Sequence, residues 1–446
     1  MTSRRLTRRR IVRLGAAATA LPLVHIRTAG SAGVLNVGFW DHWVPRGTEV
    51  MRRQVMTWAD KNKVEVHADF ITSQGDKLTL TAAAEAQAQI GHDFIPFFQW
   101  DVLQYADRLE PVDEVIDYLT AEYGQYDPVV EYLAKAENHW MAVPGTDPTA
   151  HLACCARISL MKRCAGIDVQ ELYPGHPTAP LHAAEWTYDG FLKAAEACAK
   201  AGYPFGIGIG STPDSRDSIG AIFNAFGAEL VNARGEITVN SDNVRRVLEY
   251  GQKLVKFLPA DTASYDDASN NRALISGKSA LIFNPPSAWA VAKRDAPEVA
   301  KDCWTFPCPS GPSGRYVPRV CVFFGIWKFA KNKGAAKALL QYLHEREQVE
   351  ERATAVEGYN IPPQTSMSDF RVWADVEPPK GTVYNYPIRP WHDSKPSLVA
   401  YPAPPAIAVQ IDNRATIPTM WAKLHSGQSV PEVIAWATDE VEGFIR

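Results

Sequence analysis

Apolar positions change their spacing repeatedly along residues 34–98. The run Val34–Trp40 is almost wholly apolar, whereas residues 47–61 repeat apolar side chains at helical spacing. Residues 64–71 alternate, residues 78–90 are Ala-rich and helical, and residues 93–98 are apolar again. This order of strand, helix, strand, helix and strand predicts a doubly wound α/β lobe with parallel strands. Ligands of such lobes bind at the carboxyl ends of the strands.

The remainder of the chain continues the mixture of helix and strand. The pattern predicts helices near 111–120, 126–137, 186–201, 218–226, 242–256, 268–277, 333–346 and 431–445, strands over 279–283 and 320–329, and an extended, Pro-rich wrap over 376–405. Residues 151–160 form a further apolar run. No internal repeat is visible, so we expect a large globular α/β protein and not a repeat array.

Composition narrows the class of protein. The 446 residues are 46% hydrophobic and 22% charged, which is typical of a soluble globular chain and excludes a disordered, collagen-like or multi-span membrane protein. A net charge of −4 gives no reason to expect a nucleic-acid partner. The glycines of Gly206–Gly210 have GxGxG and not GxGxxG spacing, and no metal-binding or P-loop motif is present. We therefore expect neither a cofactor nor a metal.

Residues 1–32 resemble an export signal, since they hold seven Arg and no acidic residue. The apolar stretch Leu14–Val24 would rise only about 16 Å as a helix, too short for a hydrocarbon core of about 30 Å. Small residues follow at 28–32, so we predict a signal peptide cleaved near 29–32. The arginines before Ile11 resemble a twin-arginine signal, which implies the twin-arginine export machinery as a partner and the periplasm as the location. A general secretory signal and an arginine-rich tail remain alternatives.

Seven cysteines are an odd number for an exported chain. In an oxidising compartment Cys303 and Cys308 could close a small loop. The alternative is that all seven are small buried hydrophobic residues.

Several segments carry a resemblance to a known family through their fixed order. They are Val34–Trp43, Asp93–Asp101, Met141–Pro144, Asn271–Trp289, Phe324–Leu340, Glu357–Pro362 and His425–Ile434. The set resembles the extracellular solute-binding protein family 1, the maltose-binding-protein-like receptors of ABC importers. Its most specific parts are the segment from Ser276 to Trp289 and the Ala-Lys-Asn-Lys-Gly-Ala-Ala segment that begins at Ala330.

The resemblance implies a periplasmic-binding-protein-like fold of type II, in which two doubly wound α/β lobes are joined by a hinge of several segments. By analogy, lobe one comprises residues 33–145 plus 320–350, and lobe two comprises residues 150–316 plus 355–446. It also implies a monomeric receptor without enzymatic activity that delivers a small solute to ABC permease subunits at the inner membrane.

Carbohydrate is the ligand that the residue chemistry favours. The apolar face of a sugar packs on an aromatic ring, and its hydroxyls need hydrogen-bond partners once they lose water. Aromatic and polar residues are mixed in this way in four segments. The candidate ligand-binding residues are Trp40, His42, Trp43, Gln99, Trp100, Asp101, Asn284, Ser287, Trp289, Gly358, Tyr359 and Trp391.

The basis for these candidates differs. Trp40 and Gln99 end or follow predicted strands, whereas Trp289 matches the family segment that supplies a stacking Trp, and Gly358 and Tyr359 match a segment that lines the cleft. Each Trp could instead pack in the core, and Asp101 could cap a helix.

Other functions remain open at this stage. An anionic sugar derivative such as a glycerol phosphate is the second ligand class. An exported carbohydrate-active enzyme would use the same aromatic and acidic residues, and a sensor or adhesin could use the same two lobes.

Overall fold

The computed structural model describes residues 33–147, 149–174, 183–375 and 394–445. The predicted leader, Trp391 and the first part of the predicted wrap lie outside these residues. The described strands are β1 Val34–Trp40, β2 Glu65–Ile71, β3 Phe94–Phe98, β4 Lys135–Ala136, β5 His139–Trp140, β6 Val143–Pro144, β7 Ala150–His151, β8 Cys154–Arg157, β9 Leu281–Phe283, β10 Cys303–Phe306, β11 Ser310–Gly311, β12 Gly314–Val320, β13 Val322–Ile326 and β14 Lys395–Ser397.

Helices connect and cover these strands. They are α1 Pro45–Asn62, α2 Lys77–Ala88, α3 Asp101–Gln104, α4 Asp113–Tyr123, α5 Pro128–Ala134, α6 Ile158–Leu160, α7 Val169–Leu172, α8 Tyr188–Lys200, α9 Pro213–Ala225, α10 Asp242–Leu254, α11 Ser269–Ile275, α12 Pro285–Asp295, α13 Pro297–Lys301, α14 Lys333–Leu343, α15 Arg346–Ala355, α16 Val372–Asp375, α17 Pro405–Asn413, α18 Thr416–His425 and α19 Val430–Ile445. Within this part of the chain, no helix is both long and apolar enough to span a bilayer.

The first sheet has the order β2-β1-β3-β13-β6. Strand β1 pairs in parallel with β2 and with β3, as the alternation of strands and helices predicts. The later strand β13 then pairs antiparallel with β3 and β6. Helix α1 starts with Pro45 in its first turn and buries Val55 and Trp58. The carboxyl ends of β1, β2 and β3 therefore lie along one edge of this sheet.

The second group of strands is built from later residues. Strand β8 lies between β9 and β10, and β12 pairs with β7, β11 and β14. The chain passes between the two groups of strands at two places in the described residues. One passage runs from Pro144 to Ala150, and the other has only Cys321 between β12 and β13.

Three sequence predictions differ from the structure. The strand predicted over 320–329 is confirmed as β13 over Val322–Ile326, but its first residue, Val320, ends β12 in the other group of strands. The helix predicted from residue 218 begins at Pro213, because Thr212 caps it by accepting a hydrogen bond from the backbone N–H of Ser215. Helices α15, α17 and α18 were not predicted; α15 is almost wholly polar, so apolar spacing could not reveal it.

Candidate functional site

A small cavity lies at the edge of the first sheet where its parallel strands end. Trp40 ends β1, Ser73 follows β2, and Phe98 ends β3. Facing them are Pro213 at the start of α9 and Asn284 directly after β9. Residues from both groups of strands thus form one cleft, in the position that doubly wound folds use for ligands.

The cavity is closed in this structure. Its volume is about 60 Å³, whereas small-molecule sites usually measure about 300–1,000 Å³. The lining residues are Trp40, Trp43, Ser73, Phe98, Gln99, Ala150, Leu152, Pro213, Asp214, Asp267, Asn284, Ser287, Val320 and Tyr359. A sugar ring therefore requires the two walls to separate before it can enter.

Aromatic rings form one wall of the cavity. Trp40 and Tyr359 are both buried, with ring centroids 6.3 Å apart, and the His42 ring lies 4.7 Å from each of them. Trp43 is half-buried and also lines the cavity. Flat apolar faces of this kind suit the C–H face of a sugar.

Gln99 bridges the two sides of the cleft. Its Nε2 donates to the carboxylate of Asp217 on α9 at 2.8 Å and to the backbone carbonyl of Arg319 at 2.9 Å. Its backbone has a φ of +30°, which is unfavourable for a residue with a side chain. The strained backbone is held by these bonds and by the backbone N–H, which donates to the carbonyl of Cys321 at 3.2 Å.

Polar groups of the second wall converge on Asp214. Its Oδ2 accepts from Asn284 Nδ2 at 3.1 Å and from Asn270 Nδ2 at 3.0 Å. Ser287 exchanges hydrogen bonds with Asn271 behind this wall. Asp267 lies beside Asp214, and its Oδ1 is buried without a hydrogen-bond partner among the described residues.

Burial changes the charge of this acidic pair. It raises the pKa of Asp214 to about 6. Burial, together with the nearby charge of Asp214, raises the pKa of Asp267 to about 8. The cavity can therefore supply both hydrogen-bond acceptors and protonated donors near neutral pH.

His42 lies behind the aromatic wall, where both of its ring nitrogens are used. Nδ1 accepts from the backbone N–H of Val44 at 2.9 Å, so Nε2 donates to Asn360 Oδ1 at 3.2 Å. Burial lowers the pKa of His42 to about 4. Asn360 in turn donates to Asp147, which Arg352 binds through Nε at 2.8 Å. This network supports Trp40 and Tyr359 from outside the cavity.

Trp100 and Asp101 lie outside the lining of the cavity. Trp100 is 1% exposed and donates from Nε1 to the carbonyl of Val399 at 3.0 Å. Asp101 begins α3 and accepts the backbone N–H of Phe98 at 3.1 Å, so its side chain closes the turn after β3. Burial raises the pKa of Asp101 to about 6.

Trp289 and Gly358 do not line the cavity either. Trp289 is 1% exposed within α12 and packs in the core, with Lys293 Nζ 5.0 Å above its ring. Gly358 follows α15 with a φ of +76° and accepts the Trp373 indole N–H through its carbonyl. The structure thus brings Trp40, Trp43 and Gln99 together with Asn284, Ser287 and Tyr359.

Sequence reasoning missed both acidic residues of the cleft. Asp214 follows Thr212 and Pro213, a pattern that indicates only a helix start. Asp267 stands in an ordinary polar stretch before α11. Their only sequence signal was two acids in predicted loops, and many acids in loops are solvent-exposed.

A second cavity of about 560 Å³ lies elsewhere in the molecule. Tyr132, Tyr316 and Tyr401 contribute to its walls, together with residues 395–398. None of the predicted site residues that the structure describes lines it, and most of its described walls are apolar or aromatic.

Two further features of the described residues are the state of the cysteines and the spacing of the side chains that could bind a metal. The described structure has all seven cysteines as thiols, six of them buried. Within the described residues, no group of three His, Cys, Asp or Glu side chains is placed to hold a metal.

The fold and the cleft define a class of protein. Two α/β lobes with chain crossings between their sheets and a cavity at the strand ends constitute the type II periplasmic-binding-protein fold. The family model described as "Bacterial extracellular solute-binding protein" matches residues 159–350, so the resemblance predicted from the sequence is confirmed. A comparison with curated proteins gives no match in sequence.

Solved structures support the same fold. Maltose-bound MalE3 of T. maritima has a TM-score of 0.73 at 17% identity, covering 92% of this chain and 99% of its own. A sugar transporter of Arthrobacter chlorophenolicus with bound laminaribiose has a TM-score of 0.71 at 16% identity, covering 93% and 100%. An ABC transporter solute-binding protein of Thermotoga lettingae with bound α-D-tagatose has a TM-score of 0.72 at 17% identity, covering 93% and 99%.

Proposed function

We propose that the protein is the periplasmic substrate-binding subunit of an ABC importer and that it binds a carbohydrate in the cleft. The observation that carries the proposal is one cavity, at the strand ends, that joins aromatic faces to hydrogen-bonding side chains. Trp43 and Tyr359 supply the faces, and Gln99, Asn284 and the two Asp residues supply the polar groups. Similar structures that contain bound sugars agree with this ligand class.

Closure of the lobes would couple binding to delivery. A ligand stabilises the closed form only to the extent that it binds that form better than the open one. In this proposal lobe one comprises residues 33–145 plus 320–350, lobe two comprises residues 150–316 plus 355–446, and the permease recognises the closed form. A strain that lacks the protein should then lose uptake of the same sugar that the purified protein binds.

A thermal-shift screen tests the ligand class. The melting temperature of the purified protein is measured alone and with neutral sugars, polyols, sugar acids or sugar phosphates. A ligand at 100 times its dissociation constant adds about 2.7 kcal/mol, which raises the melting temperature by a few degrees. Neutral sugars should shift the transition at pH 7, whereas sugar phosphates should not, because Asp214 is ionised above its pKa of about 6 and repels anions. A shift with phosphates alone would contradict the proposal.

Trp43→Ala tests the location of the site. Loss of an aromatic face should weaken sugar binding by at least about tenfold, measured by titration calorimetry. Trp436→Ala, at a half-buried Trp on α19, is the matched control and should bind normally. Tyr316→Ala tests the larger cavity. If Tyr316→Ala abolishes binding while Trp43→Ala does not, the cleft is the wrong site.

The acidic pair is the one observation that favours an exported carbohydrate-active enzyme. Two carboxyl groups with separated pKa values could serve as acid and base in glycoside hydrolysis. We expect the sugar to be recovered intact after long incubation with the protein. Hydrolysed product that disappears in Asp214→Asn would establish the enzyme instead.

A further inference from the structure

The charge of the cleft narrows the chemical class of the ligand further, provided that the protein is the carbohydrate receptor proposed above. Among the described residues that line the cavity there is no Lys, Arg or His, whereas Asp214 and Asp267 both line it. The guanidinium of Arg216, whose charge acts on Asp267, is held by Asp412 Oδ2 at 2.6 Å. The described lining of the cavity therefore contains acidic groups and no cation.

A second observation comes from an unsatisfied donor in the same cavity. Trp40 is 6% exposed, and its indole N–H has no acceptor in the part of the chain that the structure describes. Asp267 Oδ1 is likewise buried without a donor. An unmade hydrogen bond of a buried group is costly, so both atoms indicate groups that a ligand supplies. That ligand needs an acceptor for Trp40 and a donor for Asp267.

We propose that the cleft binds an amino sugar, a carbohydrate with a protonated primary amine. Its ring would pack on the aromatic wall, and a ring or hydroxyl oxygen would accept the Trp40 N–H. Its ammonium group would lie between Asp214 and Asp267, where a neutral hydroxyl leaves the negative charge uncompensated. An ammonium is also attracted to the faces of Trp43 and Tyr359.

The release of protons from Asp214 and Asp267 on ligand binding provides a second, separate measurement of the proposal. The raised pKa values of Asp214 and Asp267 belong to the unliganded cleft, and a bound cation lowers both, so the amine displaces protons from them. The charged groups that face Asp267 are Asp76, Asp214, Arg216 and Asp266. Raising the pH from 6 toward 7 should therefore strengthen binding of the amine, because the amine stays protonated over this range while protons leave the carboxyl groups.

Titration calorimetry with three matched ligands tests the proposal. Glucosamine, N-acetylglucosamine and glucose share a ring and differ in charge, and their dimers test a longer site. The amine form should bind at least about tenfold more tightly than its N-acetylated and neutral counterparts. Measurements in two buffers of different ionisation enthalpy should show proton release with the amine form alone.

Asp267→Asn is the informative variant. It should remove most of the preference for the amine and the associated proton release, while neutral sugars keep their affinity. The control Asp295→Asn removes an exposed carboxylate that binds Arg294, and it should change neither the preference nor the proton release. Circular dichroism checks that both variants fold.

The outcomes separate this inference from the proposed function. Equal or tighter binding of the neutral or N-acetylated forms would overturn the amino-sugar assignment and leave a carbohydrate receptor. Binding of no sugar in any charge form would overturn both. A preference for the amine that persists in Asp267→Asn would place the ammonium elsewhere and contradict the inference.

Discussion

His42 illustrates how burial determines the charge of a single residue. With Nδ1 accepting and Nε2 donating, the ring is neutral, and burial lowers its pKa to about 4. The unfolded chain binds a proton at this residue below its ordinary pKa of about 6.5, whereas the folded protein does so only near 4. The His42 contribution to stability is therefore present at neutral pH and is lost as the pH falls from 6.5 toward 4.

A His42→Gln variant tests this linkage. Between pH 7 and 4.5 the difference in unfolding free energy between the wild type and the variant should shrink by about 1–3 kcal/mol, because each unit of pKa shift corresponds to about 1.4 kcal/mol. Urea denaturation of both proteins at several pH values measures this difference. Buried carboxyl groups are the same in both proteins, so their effect on stability cancels in the subtraction. A difference that does not change with pH would show that His42 binds a proton equally well in the folded and unfolded states, which contradicts the lowered pKa.

Single residues also show how far sequence reasoning reaches into the site. Trp40 and Gln99 end or follow strands, so the pattern of strands predicted their place at one edge of the sheet, whereas only the family resemblance implied that Asn284 would face them. Trp100 and Trp289 have the same chemistry and lie in the same segments, yet both are 1% exposed and face the core. The backbone conformation directly after a strand determines which side chain faces the cleft. The spacing of apolar residues does not predict this conformation.

At the scale of elements, buried polar contacts join α15 to α1 and to the segment before β7. Arg352 on α15 is 2% exposed at its side chain and binds Asp147. It also donates to Gln54 of α1 at 2.7 Å. Arg53 and Glu351 form an ion pair between the same two helices, but their side chains are 58% and 47% exposed.

These two arginines provide a matched comparison. Arg352→Ala leaves the buried carboxylate of Asp147 without its cation and should cost about 3–5 kcal/mol of unfolding free energy. Arg53→Ala breaks an exposed pair and should cost about 0–1 kcal/mol. Guanidinium denaturation measures both. Equal losses in the two variants would mean that burial does not control the strength of these contacts.

Elements were predictable where their apolar spacing was regular. Strands β1, β2 and β3 and helices α1 and α2 have strong periods and were located from them. Helix α15 is held by the Arg352 network and has few apolar residues, so its sequence gives no such period. The break at Cys321 divides one apolar run between two sheets, which is a feature of topology and not of local sequence.

At the scale of the whole molecule, hydrogen bonds of the segment after β3 hold the two walls of the cleft together, and Trp100 binds Val399 in this way. Gln99 joins the end of β3 to Asp217 on α9, and the cavity beside it measures about 60 Å³. A protein that binds a sugar here must exchange this form with a more open one.

Substitution of Gln99 should shift that exchange. Gln99→Ala removes the bridge, so the unliganded protein should show a larger radius of gyration by small-angle X-ray scattering, and saturating sugar should reduce it again. Gln87→Ala, at an exposed position on α2, is the control. An unchanged radius in Gln99→Ala would show that other contacts hold the walls together.

The passage through Cys321 also has a consequence for the order in which a ribosome makes this protein. Strand β13 lies between β3 and β6 in the first sheet, but it is synthesised long after both. Until Ile326 has emerged, a nascent chain carries β3 with its hydrogen-bonding edge uncovered, and such edges readily pair with other chains. Fragments that end before Val322 should therefore aggregate, and the complete sheet can form only when most of the chain has been released.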